Sequence, residues 1–180
     1  MPRAQTDDGV GLSYGVRGEG PRNLLFMHGW AGSGDYFNGL IDHLNLSQVR
    51  AITYDMRGHG DAAKFVELLE PYMTAPVDPE VLERFGQNAA RAPLADLERT
   101  MNLVTSVSFA DRVGALEMPI LVIAGANDVL LPPDLLKGMA DGLKNARLEI
   151  IDCGHEIPIE KPKDLAERIE TFLASLQSSH

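Results

Sequence analysis

Cysteine is nearly absent from this chain. Cys153 stands alone among 180 residues, so an internal disulfide is impossible and a CxxC-type metal site is excluded. No apolar run approaches the roughly 18 residues that a membrane-spanning helix needs. The N-terminal stretch MPRAQTDDGVG has no apolar centre, so a secretory signal is not readable there. Together these absences make a cytoplasmic location the expectation. Basic residues are also few: 16 Lys and Arg stand against 26 Asp and Glu, a net charge of -10. That balance argues against nucleic acid or an anionic membrane as a main partner. What remains is ordinary for a globular protein, with 44% hydrophobic and 23% charged residues. The length suits a single domain with a substantial core and room for a small insert.

The N-terminal third has the pattern of strands around one helix. Val10 to Val16 is extended in character, and a turn-forming stretch from Arg17 to Asn23 follows. Leu24 to Met27 is a short apolar run ending in His28-Gly29. Phe37, Leu40, Ile41 and Leu44 have helical spacing within Tyr36 to Leu46. Val49 to Tyr54 is a second buried-strand candidate. Strand, helix and strand in that order imply a parallel pair. From about Ala63 to Val107 the chain reads as helices, with Asp78 placed to cap one that begins at Pro79. The last third returns to alternation. It offers strands at Pro119 to Ala124 and Leu148 to Ile151, and a helix at Leu135 to Leu143. A closing helix spans Pro162 to Leu176, with Leu165, Ile169, Phe172 and Leu173 facing inward.

Chemistry in parallel sheets gathers in loops beyond the carboxyl ends of strands. Three loops stand out. The first, Met27-His28-Gly29-Trp30-Ala31-Gly32-Ser33-Gly34, can bring free backbone N–H groups close to a ligand. The second holds Asn127-Asp128 and the third Gly154-His155. A carboxylate and an imidazole at neighbouring strand ends can form a pair in which the acid fixes the tautomer and the ring serves as general base. Singly, each has an ordinary structural reading: a glycine-rich connection, a helix cap and a satisfied polar side chain.

The motifs MHGW, YDMRGHG, GANDVLLP and CGHEIPIEKP, in that order, resemble the α/β-hydrolase superfamily. The resemblance covers residues 9–60 and 110–176. It implies a three-layer α/β sandwich around a mostly parallel sheet, with residues 1–62 and 108–180 as the core. Residues 63–107 are similar to the helical cap region of that family. Carried over by position, Asp128 would be the triad acid and His155 the base. The backbone N–H of Trp30 would serve the oxyanion hole. Asp55, Arg57, Gly58 and Gly60 match a loop that mostly supports the site's architecture. Trp30, Leu69, Tyr72 and Met73 are the expected substrate-binding residues, beneath a roof of cap helices. The family needs no metal or organic cofactor.

The family's nucleophile elbow, G-x-S-x-G between a strand and a helix, is missing. The one literal match, Gly11-Leu12-Ser13-Tyr14-Gly15, precedes the first motif and reads as part of an edge hairpin. Ser33, Ser106, Ser108, Cys153 and Asp61 also lack the elbow context, although Ser33 could cap the following helix. Only 58 residues separate Gly60 from Pro119, and the helical reading consumes most of them. The strands expected in that interval occupy the centre of the family's sheet. Without them, the strand ending near Tyr54 and the strand at Pro119 are expected to lose their shared neighbours. Each buried unpaired backbone group costs about 1–3 kcal/mol, against a net stability of about 5–15 kcal/mol. Either the sequence omits residues near Gly60 to Lys64, or it carries a true deletion. In the deletion case the sheet closes differently or a second copy completes it as an intertwined homodimer.

Three functions follow as expectations. The first is a cofactor-free hydrolase of a small, largely apolar ester or related acyl substrate, acting through a nucleophile, His155 and Asp128. The second is an epoxide hydrolase or dehalogenase with an aspartate nucleophile; Ala31 after Trp30 mildly disfavours the epoxide branch. The third is a non-catalytic binding protein on a hydrolase scaffold.

Overall fold

The computed structural model describes residues 3–5, 7, 11–29, 32–55, 72–80, 82–83, 99, 102 and 106–177. Its strands are β1 (Arg3–Gln5), β2 (Gly11–Arg17), β3 (Arg22–Met27), β4 (Val49–Tyr54), β5 (Ile120–Gly125) and β6 (Ala146–Ile151). Between β3 and β4 lie a 3-10 turn, Gly34–Phe37, and a short helix α1, Asn38–Ile41. The expected helix over Tyr36 to Leu46 is therefore split and shorter, although Leu40, Ile41 and Leu44 are buried as their spacing predicts. Further helices are α2 (Ala110–Val113), α3 (Pro133–Asp141), α4 (Ile157–Glu160) and α5 (Pro162–Gln177).

The strands form two sheets among the described residues, one in the order β1-β2-β4-β3 and the other a β5-β6 pair. β3 runs parallel to β4 from Arg22↔Val49 to Met27↔Tyr54. β5 runs parallel to β6 from Ile120↔Ala146 to Gly125↔Ile151. Both pairs follow from apolar strands joined by a helical crossover. β2 lies antiparallel to β1 and β4, and Ser13 sits in β2 opposite Arg3, in the hairpin that its surroundings predict.

One expectation needs correction. The strand ending at Tyr54 does not lose a neighbour, because β4 is held by β2 on one side and β3 on the other. β3 has one described partner, because its crossover places it outside β4 at the edge of its sheet. Its alternate residues Leu24 and Phe26 pack into the core, whereas Leu25 and Met27 are 60% and 62% exposed. Parallel strands are normally covered on both faces. Among the described residues this face of β3 is uncovered, and its free edge, opposite β4, is where further strands would pair.

The main core joins the two sheets. Leu40, Ile41, Leu44, Val49 and Ala51 meet Ile151, Cys153, Leu165 and Ala166 in one cluster. Leu165, Ile169 and Leu173 of α5 contribute its apolar stripe, at helical spacing. On the other side of the β5-β6 pair, Val122 packs with Ala140 and Leu143. The middle of the chain is described only in part. There Asp78 caps as its sequence predicts: its carboxylate accepts the Glu80 N–H at 2.8 Å and its carbonyl the Leu82 N–H at 3.1 Å. The remaining cap assignments fall outside the described residues.

Candidate active site

β5 and β6 end in register at Gly125↔Ile151. Adjacent strands lie about 4.8 Å apart, so the loops that follow must run side by side. Backbone bonds fasten them: Ala126 N–H to Ile151 O at 2.7 Å and Asn127 N–H to Cys153 O at 3.0 Å. The approach is so close that a Cβ on Gly125 would stand 2.0 Å from Gly154 O. Only glycine fits at that point. Asp128 lies three residues beyond β5 and His155 four beyond β6, and the two side chains meet there.

His155 Nδ1 is 2.9 Å from Asp128 Oδ2. The other carboxylate oxygen, Oδ1, accepts the N–H groups of Leu130 and Leu131, each at 2.9 Å. Asp128 is thus both the turn residue of its loop and the partner of the imidazole. Its side chain is 4% exposed, whereas that of His155 is 27% exposed. This asymmetry holds the carboxylate out of water and leaves the ring reachable. With Nδ1 engaged, Nε2 is the nitrogen left to exchange a proton with a substrate or nucleophile.

The neighbouring segment Tyr72–Ala75 closes over the histidine loop. Tyr72 O accepts the His155 N–H at 3.0 Å. A Cβ on Gly154 would stand 2.1 Å from that same carbonyl. Tyr72, expected as a substrate-binding side chain, therefore reaches the site through its backbone, and its side chain is half-buried, like that of Met73.

Two glutamates beneath the loop carried no assigned role in the sequence. Glu156 accepts the Tyr36 hydroxyl at 2.7 Å, which ties the histidine loop to the turn after β3. Phe37, its ring tilted against Phe26 at 5.1 Å and edge-on to Tyr36 at 5.0 Å, packs that turn against β3. Burial raises the Glu156 carboxyl above its ordinary range, with Glu160 and Asp128 adding to the effect and the Tyr36 hydrogen bond and His155 opposing it. Burial, with Glu156 next, raises the Tyr36 hydroxyl well above its usual value. Glu160 is 6% exposed and its carboxylate accepts four backbone N–H groups.

Of the remaining candidates, Asp55 is placed as its motif implies, accepting the Gly34 N–H at 2.8 Å and bracing the first loop from the end of β4. Ser33 is at the N-cap of the 3-10 turn but makes no side-chain cap bond, and its buried Oγ has no hydrogen-bond partner among the described residues. Its expected capping role is not realised, because its carbonyl rather than its hydroxyl engages the turn, accepting the Tyr36 N–H. Cys153 is buried, and desolvation pushes its thiol up to about 12, which deprives it of the thiolate a nucleophile needs. Ser106 and Ser108 are exposed. Trp30, Arg57, Gly58, Gly60, Asp61 and Leu69 lie outside the described residues. Among the described residues no group of three His, Cys, Asp or Glu side chains could hold a metal ion, and no helix is long and apolar enough to cross a membrane.

A family model for the alpha/beta hydrolase fold matches residues 22–67. A non-heme chloroperoxidase from Kitasatospora aureofaciens is 38% identical over 60 residues, 33% of this chain and 22% of that protein. A monoacylglycerol lipase from Xenopus laevis is 30% identical over 73 residues, 40% of this chain and 22% of that protein. The matching segments thus span less than a quarter of the length of these curated relatives. Two solved esterases align over almost their whole length. One, from Exiguobacterium antarcticum, has a TM-score of 0.82 at 12% identity and covers 96% of this chain and 98% of its own. The other, from Thermogutta terrifontis, has a TM-score of 0.82 at 17% identity and covers 97% and 99%. The fold shared along the chain, with the family model matched across β3, α1 and β4, gives this protein the α/β-hydrolase fold.

Proposed function

We propose that this chain carries the acid–base half of a cofactor-free hydrolase acting on a small, largely apolar ester or related acyl substrate. The observation that carries the reading is the hydrogen bond between His155 Nδ1 and Asp128 Oδ2, at the joint end of two parallel strands. In this mechanism His155 Nε2 takes the proton from the attacking group as it adds to the substrate carbonyl. The charge that develops on the imidazolium is stabilised by Asp128, and the proton passes on to the leaving group. The backbone N–H of Trp30 is the proposed donor to the oxyanion; one such donor contributes about 3–4 kcal/mol to the transition state. No serine of this sequence stands in an elbow. In this reading the attacking group is therefore water activated by His155.

The esterase fold and the lipase among the relatives support the substrate class. The test is hydrolysis of p-nitrophenyl acetate by the purified chain and by His155→Ala. The proposal expects turnover in the first and a fall to the uncatalysed rate in the second. Equal turnover in both removes His155 from the chemistry. No turnover in either favours the non-catalytic binding protein.

A further inference from the structure

We infer that Glu160 is a positioning residue for His155, acting through the backbone of Tyr72–Ala75. Its Oε2 accepts the N–H groups of Thr74 at 2.7 Å, Ala75 at 2.8 Å and Gly154 at 3.0 Å. Its Oε1 accepts the Glu156 N–H at 3.1 Å. These donors come from two segments about 80 residues apart in sequence, with Gly154 and Glu156 flanking His155. None of the four is a cation. A carboxylate that only capped its own helix would bind N–H groups of that helix's first turn. This one instead clips a distant strand of chain onto the loop that bears the imidazole.

The clip has a second rung. Tyr72, two residues before Thr74, accepts the His155 N–H at 3.0 Å, and the absent Cβ of Gly154 leaves room for that contact. With both rungs made, the backbone on either side of His155 is fixed, and the ring is delivered to Asp128 at 2.9 Å. A buried ionised carboxylate is costly unless its lone pairs are filled. Here four backbone N–H groups donate to it, three to Oε2 and one to Oε1.

The inference rests on His155 as the base for its functional meaning, but its geometry is measured independently of turnover. In Glu160→Gln one oxygen becomes an amide nitrogen. Whichever oxygen is replaced, a donor then faces at least one backbone N–H at about 3 Å. The experiment follows the His155 Nδ1–H proton by NMR, together with kcat and KM for the nitrophenyl ester. In a Glu160→Gln variant that keeps a native-like amide spectrum, solvent exchange of that proton is expected to accelerate at least about tenfold. The kcat is expected to fall with KM within about twofold, because Glu160 is not among the residues expected to touch substrate. An exchange rate unchanged in the folded variant overturns the inference. Should Glu160→Gln fail to fold, Ala75→Pro removes one of the four donors and keeps the carboxylate. A smaller acceleration is then expected, and no acceleration overturns the proposal. Turnover indifferent to His155→Ala would sink the catalytic reading alone, and an unmoved imidazole proton would sink this one alone.

Discussion

Asp128→Asn separates the chemistry of the pair from its structural work. The carboxylate has two duties on two oxygens: Oδ1 holds Leu130 and Leu131, and Oδ2 holds His155 Nδ1. Asparagine has nearly the same shape and one carbonyl oxygen. Keeping that oxygen on the two backbone donors preserves the turn. Its NH2 then faces Nδ1, which must become an acceptor. The ring proton moves to Nε2, the nitrogen that has to receive a proton in the mechanism. General-base catalysis contributes about 10²–10⁴-fold, so the wrong tautomer forfeits about 3–5 kcal/mol of transition-state stabilisation. Folding loses less. Three charge-assisted bonds are exchanged for neutral ones of the same geometry, about 1–3 kcal/mol in all. Ester hydrolysis and urea denaturation of the same preparation test both halves. The expected result is activity down by about 10²–10⁴-fold with stability within about 3 kcal/mol of the parent. A folded variant that retains more than a tenth of the activity would refute the reasoning.

Other perturbations follow from the same contacts. A Cβ at Gly154 would meet Tyr72 O at 2.1 Å and one at Gly125 would meet Gly154 O at 2.0 Å. Gly154→Ala and Gly125→Ala are therefore each expected to cost about 2–3 kcal/mol or more in urea unfolding, and an unchanged midpoint would contradict the tight approach of the loops. Glu156 has its carboxyl raised in the fold by burial, so its protonated form is the one the fold favours. That contribution is fully present below the unfolded value of about 4.3 and is lost as pH rises through the folded value. The stability of the parent relative to Glu156→Gln is accordingly expected to decline from acid pH toward neutrality, and a rise would reverse the assignment. With its thiol near 12, Cys153 should carry about one part in 10⁴ thiolate at pH 8. Ellman's reagent should leave it unmodified in the native protein and titrate it after unfolding; rapid reaction in the native state would contradict its burial.

Much of the positioning framework was legible in the residues. Apolar runs with flanking turn signals located β3, β4, β5 and β6 to within a residue or two, because a strand buried between helices leaves little choice of side chain. The Asp128–His155 pair was legible because both residues follow such strands directly. Neighbouring parallel strands force the loops together whatever lies between them in sequence. The helix over Tyr36 to Leu46 was overextended, because periodicity marks the buried face and does not show where the chain leaves the helix. The unpaired strand was assigned to the wrong side of the crossover. A crossover's length says which strands are parallel, but the antiparallel β2 decides which side of β4 remains for β3. Glu156 and Glu160 went unassigned because their partners are mostly backbone N–H groups and a distant tyrosine, which leave no trace in local spacing.

The central claim is that Asp128 and His155 act as one unit. A double-mutant cycle on ester hydrolysis tests it most directly, using Asp128→Asn, His155→Ala and both together. Groups that act only through each other give a double variant no slower than the slower single variant. If the two losses instead multiply, each residue contributes separately and the hydrogen bond between them is not part of the chemistry.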